Sequence, residues 1–180
     1  MTSDILSYDG VDEMVDATTM PFPGASLRVI GMLNVFHHIS RPRQFLAEAQ
    51  RCLAPGRMLI VDEHPGIIST SILKFLHHEQ FRPTAERWEF ESAGPLSGAN
   101  GALAWIVFQR DREQFEREFP KVEILRYAPH TPLRYWLAGW LKSWSVLGRR
   151  TFRLASALDR FATRLTPDSG SFVYVEICKR

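Results

Sequence analysis

The sequence predicts an α/β domain built on a twisted, mostly parallel sheet. Three observations predict it. Leu27–Leu33 is a nearly continuous apolar run, broken only by Arg28 and Gly31, as expected for a strand buried on both faces. Phe45, Leu46, Ala49 and Leu53 follow at helical spacing, which marks a helix with one apolar face. Met58–Val61 then gives a second short apolar strand. Strand, helix, strand is the alternation of a parallel sheet with crossover helices.

The remaining elements follow in order. Val11–Ala17 reads as a short strand with Val11 and Val15 on one face, running into the turn Pro21-Phe22-Pro23-Gly24. Ser40 is a suitable helix cap, with Pro42 in the first turn, and Pro55-Gly56 should end that helix. The Met58 strand closes on Asp62-Glu63-His64-Pro65. Ile67–Leu76 reads as a helix through Ile68, Ile72, Phe75 and Leu76. The stretch 79–100 is a loop-rich insertion, and connections of that length are usually functional. Arg112–Phe119 reads as a charged helix with Phe115 and Phe119 inward, and Val122–Tyr127 as a strand. Pro132–Arg164 reads as two helices broken near Gly148, the second with Phe152, Ala155, Leu158, Phe161 and Leu165 on one face. Phe172–Cys178 alternates and makes the last strand.

Composition narrows the classes. The chain has 180 residues, 45% hydrophobic and 23% charged, with a net charge of +2. These values fit a single globular domain over 1–180 and not a disordered chain. The small net charge gives no case for nucleic-acid binding. No secretion signal and no membrane-spanning run is read, so a cytoplasmic protein is expected. Cys52 and Cys178 lie far apart in apolar contexts and read as reduced, packed thiols.

The motifs carry more. An acid-Ala pair, Asp16-Ala17, precedes a Met-Pro-Phe turn; the Leu27 strand ends near His37-His38-Ile39; a helix leads to Pro55-Gly56 and the next strand. This succession resembles the class I S-adenosylmethionine (SAM)-dependent methyltransferases, of the methyltransferase 11-like type. The resemblance is specific from Thr2 to about His64 and weaker through the last strands. The stretch from Leu76 through Pro120 is similar to a bacterial subgroup of such proteins. It implies a Rossmann-like sheet with helices on both faces and SAM across the carboxyl ends of the strands. Carried over by position, Asp4 would accept hydrogen bonds from the ribose hydroxyls. Asp16 would accept from the adenine amino group, with the Ala17 backbone beside it. Met32, Leu33 and Asn34 would line the methionine part, and His37 and His38 would face the methyl acceptor as candidate catalytic residues. An ionised carboxylate suits these roles because it only accepts.

Two departures stand against the pattern. Arg28 occupies a position where the family usually has Asp. No Gly-x-Gly occurs in the 180 residues, and the resemblance places that glycine-rich loop, with the first strand and helix, before Met1. An N-terminally truncated sheet of this kind is expected to leave two sets of strands with exposed edges. A truncated product, re-paired strands or a strand borrowed from a partner would each answer that deficit.

Other residues suggest chemistry more weakly. His64, His77, His78 and Glu79 include adjacent histidines that point about 100° apart on a helix, so a polar boundary is the expected reading, not a metal site. Gly94, Gly98 and Gly101 lie within 66–110, read as an insertion or lid over the acceptor site. The region 129–166 is basic and aromatic, with Trp136, Trp140 and Trp144 every four residues. Such a stripe beside arginines fits peripheral contact with a membrane, and equally an ordinary core-facing helix. Two functions are therefore expected: methyl transfer from SAM to a small-molecule or lipid-linked acceptor, or a non-catalytic module of the same ancestry that binds a partner protein or a membrane surface.

Overall fold

The structure, a computed structural model, describes residues 1–67, 69–75, 80–94, 97–139 and 145–180. Six strands form two sheets among these residues. β1 (Ser3–Asp4) and β2 (Glu13–Met14) pair in parallel. The second sheet has the order β3-β4-β6-β5, with β3 (Leu27–Leu33), β4 (Leu53–Glu63), β5 (Val122–His130) and β6 (Phe172–Lys179). β3 and β4 run parallel, whereas β6 is antiparallel to both β4 and β5. The expectation of two strand sets is met. Among the described residues β1 and β3 do not pair; they lie in different sheets.

Alternation along the strands explains the core. Met58, Ile60, Val173, Val175 and Ile177 are buried, while Leu59, Val61, Tyr174 and Glu176 between them are half-buried. The dry face receives α1 (Pro42–Cys52) through Phe45, Leu46, Ala49 and Cys52. It also receives α3 (Leu103–Trp105), which continues as a π-helix over Ile106–Arg110, and α4 (Arg112–Glu118). Phe36 meets the Phe45 ring at 5.9 Å and Phe108 at 5.1 Å, and Phe108 meets Phe115 at 5.4 Å. Such offset and edge contacts are the preferred aromatic geometries. The segment that follows β2 joins the same core through Val15 and Met20.

Several expectations need adjustment. The Val11 strand shrinks to two residues, because Asp12 folds back to accept from the Thr2 backbone N–H at 2.7 Å. Ser40 does not cap α1; Arg41 precedes Pro42 and makes no side-chain cap bond. Pro55-Gly56 does not separate helix from strand, because β4 starts at Leu53 and carries both residues. The Val122 strand extends to His130. The first helix after β4, α2 (Ser69–Phe75), is shorter than expected, and Ile68 and Leu76 lie outside the described residues.

The second helix of the basic region, α6 (Arg149–Leu165), turns a different face inward from the expected one. Ala155, Ser156 and Asp159 are buried, whereas Phe152, Leu158, Phe161 and Leu165 are exposed. The short α5 (Arg134–Leu137) precedes it. Both cysteines are free, Cys52 buried and Cys178 half-buried.

One close approach fixes the β3–β4 pairing. A Cβ on Gly56 would lie 2.1 Å from the Arg28 carbonyl oxygen. Gly56→Ala must therefore push the two strands apart. It is expected to lower stability by about 1–3 kcal/mol in a denaturant melt. An unchanged melting curve would show that this contact relaxes freely.

Candidate functional site

Strand ends meet at one rim of the larger sheet. Leu33 pairs with Val61, Glu63 with Phe172, and Phe172 with His130. The carboxyl ends of β3, β4 and β5 therefore lie together with the start of β6. Met32 is half-buried, and Leu33 and Asn34 are exposed at the end of β3. Asn34 turns the chain with φ 52°, and its N–H donates to the Val61 carbonyl at 2.8 Å. Asparagine is among the few side chains that tolerate this left-handed conformation.

The turn after β3 then delivers two histidines. Phe36–His38 forms one 3-10 turn, with His37 buried and His38 half-buried. Asp62, fully buried at the end of β4, holds His37 firmly. Asp62 Oδ2 accepts from the His37 backbone N–H at 3.1 Å, and Oδ1 sits 2.5 Å from His37 Nδ1. Oδ1 also accepts from the Glu63 backbone N–H at 2.8 Å. A carboxylate surrounded by donors fixes His37 as the tautomer with its proton on Nδ1. The His38 ring lies 4.2 Å from that of His37, and its Nδ1 is 3.3 Å from the Gly98 carbonyl.

Gly98 belongs to a segment that closes over this turn. The Asn100 N–H donates to the His37 carbonyl at 2.9 Å, and Gly101 N–H to the Gln80 carbonyl at 3.0 Å. A Cβ on Gly101 would lie 1.9 Å from Glu63 Oε2 and 2.9 Å from the Phe81 ring, so a larger residue there would have to displace those side chains. Phe81, Trp88, Ala99 and Asn100 are buried. Trp88 is clamped: its Nε1 donates to Asp111 at 2.8 Å, and Arg43 lies 4.1 Å above the ring. Arg43 also bridges Glu89 at 2.6 Å and Glu118 at 2.7 Å. Arg110 beside Asp111 holds that carboxyl below the usual carboxylate range.

The two acids expected at the nucleoside lie on neighbouring strands. The parallel register Ser3↔Glu13, Asp4↔Met14 puts Asp4 at the carboxyl end of β1 and Asp16 two residues beyond the end of β2. Asp4 accepts from the Leu6 N–H at 3.0 Å and from the Tyr8 hydroxyl at 3.1 Å. Asp16 Oδ1 accepts from the Thr18 N–H at 2.8 Å and the Thr18 hydroxyl at 2.7 Å. A carboxylate offers about four acceptor positions, so both acids keep capacity for a ligand. Ala17 beside Asp16 is half-buried.

His64 is a further buried group on this side. Its Nδ1 lies 2.9 Å from the Tyr127 hydroxyl, and its Nε2 has no partner. Burial lowers its pKa to about 4, with Asp168 acting weakly upward and His130 downward. Burial likewise raises the Tyr127 phenol. His64 is therefore neutral at neutral pH. Of the other expected residues, Trp136 is half-buried against the core and donates to the Ser171 hydroxyl at 2.8 Å. His77, His78, Glu79, Trp140 and Trp144 lie outside the described residues.

Residues 9–61 match a family described as a methyltransferase domain. That segment runs from just before β2, through the two histidines, into β4. The fold is that of the class I SAM-dependent methyltransferases. A Thermotoga maritima SAM-dependent methyltransferase, a possible histamine N-methyltransferase, superimposes with TM-score 0.51 at 12% identity, covering 92% of this chain and 62% of that one. A putative methyltransferase solved with the Haloferax volcanii Trm112 activator gives TM-score 0.51 at 12% identity, covering 92% and 59%. The chain spans about three-fifths of the length of these two structures. No curated protein sequence matches it.

The Asp62–His37 pair is the feature that sequence reading passed over. Both residues were visible, but only the β3–β4 register joins them. Asp62→Ala would leave three N–H donors without their buried acceptor. It is expected to cost about 3 kcal/mol or more of stability, measured by chemical denaturation. A cost below that of an exposed Asp→Ala change would contradict the pairing.

His64 predicts a pH dependence. Its folded pKa lies below the unfolded value of 6.5, so the unfolded chain binds the extra proton between those values. Stability from this group is full above pH 6.5 and falls as pH drops towards 4, by on the order of 3 kcal/mol. Burial lowers His130 in the same direction. Thermal melts from pH 7 to 4 should show a smaller acid loss in His64→Gln than in the parent chain. Equal slopes would contradict the assignment.

Proposed function

We propose that the protein transfers a methyl group from SAM to a small-molecule or lipid-linked acceptor at the rim where β1, β2 and β3 end. Asp4 accepts from the ribose hydroxyls and Asp16 from the adenine amino group, with the Ala17 backbone against the base. Met32, Leu33 and Asn34 line the methionine portion. What supports this reading is the parallel pairing of β1 with β2, which brings Asp4 and Asp16 to adjacent strand ends, inside or beside the methyltransferase-domain match. The donor set fits, because each acid has acceptor positions beyond its local hydrogen bonds.

SAM would supply an electrophilic methyl on a sulfonium; its transfer would break the S–CH3 bond and release S-adenosylhomocysteine, while the acceptor atom loses a proton. His38 stands nearest to solvent of the two histidines and receives that proton. His37 is a positioning residue, held by Asp62 and stacked against His38. Phe81, Trp88 and Asn100 close the acceptor side and keep water away from the turn. Alignment of acceptor and methyl supplies the larger part of the rate. A lipid-linked acceptor would bring the protein to a membrane surface.

Titration calorimetry with SAM tests the cofactor half. Asp16→Ala is expected to weaken binding by roughly 1.5–3 kcal/mol, the worth of a hydrogen bond to a charged group. Asp16→Asn, which keeps the bonds to Thr18, should lose less. Equal affinity in the parent and both variants would remove Asp16 from the adenine site.

A further inference from the structure

Helix α6 is built the wrong way round for a core helix. Its inward face carries the small or polar Ala155, Ser156 and Asp159. Leu154, Leu158, Phe161 and Leu165 are 61%, 47%, 62% and 69% exposed. Their spacing of four, three and four residues sets them within about 60° of the helix circumference, in one continuous stripe. Large apolar side chains normally go inward on a surface helix. Here the sequence spends them outward, on a helix about 25 Å long by its rise per residue.

Charge decides what covers the stripe. Arg149, Arg150, Arg153, Arg160 and Arg164 are all exposed on α6. By the same helical geometry they fall on one flank of the stripe. The helix has one acid, Asp159, and it is turned inward. Asp159 accepts from the Leu133 N–H at 2.8 Å and lies 3.7 Å from Arg134. No acid therefore offsets the five arginines on the exposed surface of α6; the exposed Asp168 lies beyond its end. An apolar stripe bordered by cations matches a bilayer interface, where acyl chains and anionic headgroups meet.

We propose that α6 is an interfacial helix that docks the protein on an anionic phospholipid surface. Leu154, Leu158, Phe161 and Leu165 enter the headgroup–acyl boundary, and the five arginines meet the lipid phosphates. The arginine stems also cover apolar surface while their heads stay at the phosphate level. Position gives the docking a use. α5 and α6 connect β5 to β6, and the facing residues His130 and Phe172 lie at the rim that Glu63 shares. Docking through α6 therefore brings that rim to the membrane. Delivery of a lipid-linked acceptor from the bilayer rests on the methyl-transfer reading, whereas the docking does not.

Vesicle flotation of the chain tests this. Phosphatidylcholine vesicles are compared with vesicles that also contain phosphatidylglycerol. The protein is expected to float with the anionic vesicles only, and less as salt is raised. Leu158→Ser with Phe161→Ser, and separately Arg153→Glu with Arg160→Glu, should each cut the floated fraction about tenfold. All four side chains are exposed, so circular dichroism should show the helix retained in both variants. Failure to float with anionic vesicles overturns the proposal, as does flotation that both variants keep. Sedimentation without lipid provides the remaining outcome. A dimer that Leu158→Ser with Phe161→Ser dissolves would assign the stripe to a second copy of the chain. SAM binding unchanged in both variants would separate failure of docking from failure of the methyl-transfer reading.

Discussion

The Asp62 carboxylate organises the site more than any other group. It lies fully buried at the end of β4 and satisfies donors from three places: the Glu63 backbone, the His37 backbone and the His37 ring. A buried charge is tolerable only when it is matched this completely. The match depends on the β3–β4 register, since a shift of one residue would turn Asp62 to the other face of the sheet. Gly56 guards that register at the opposite end, where only a backbone without Cβ can pass the Arg28 carbonyl. Position of the histidine turn, and of everything that closes over it, follows from these two constraints.

The segment from Gln80 to Gly101 shows how the closure is held. Its described residues form no strand, so single residues take over. Trp88 is fixed by Asp111 and Arg43, and Asn100 bonds both to the His37 carbonyl and to the Arg82 backbone. Arg43 reaches from α1 to Glu118 on α4 as well. Each exposed ion pair alone adds little, but a shared network on one aromatic ring adds geometric specificity. The turn that carries His37 and His38 is thus braced from both α1 and α4.

Much of this was legible in the sequence. The Phe45 helix and the Phe172 strand each have one dominant period, and local pattern settles them. Leu27–Leu33 is a strand as expected but is not buried on both faces: it stands at the sheet edge, and all its residues are half-buried or exposed. Asp16-Ala17 and the turn after it were legible as a methyltransferase-like succession. The Asp62–His37 bond was not, because residues 25 positions apart meet only through strand register. Ser40 misled because a capping residue type needs the right backbone angles, which here fall to Arg41. In α6 the three-residue spacing of Phe152, Ala155, Leu158 and Phe161 suggested one face, but a step of three drifts about 60° each time. The stripe Leu154, Leu158, Phe161, Leu165 follows the true helical period, and tertiary packing left it outside.

Two-dimensional NMR of the chain titrated with S-adenosylhomocysteine, the product form of the proposed methyl donor, tests the central assignment most directly. Backbone amides around Asp4, Asp16-Ala17 and Met32–His38 should shift together, while those of α6 stay in place. Shifts confined to the polar pocket between His130, Arg134 and Asp159, or none at saturating ligand, would contradict a nucleoside site at the paired ends of β1 and β2.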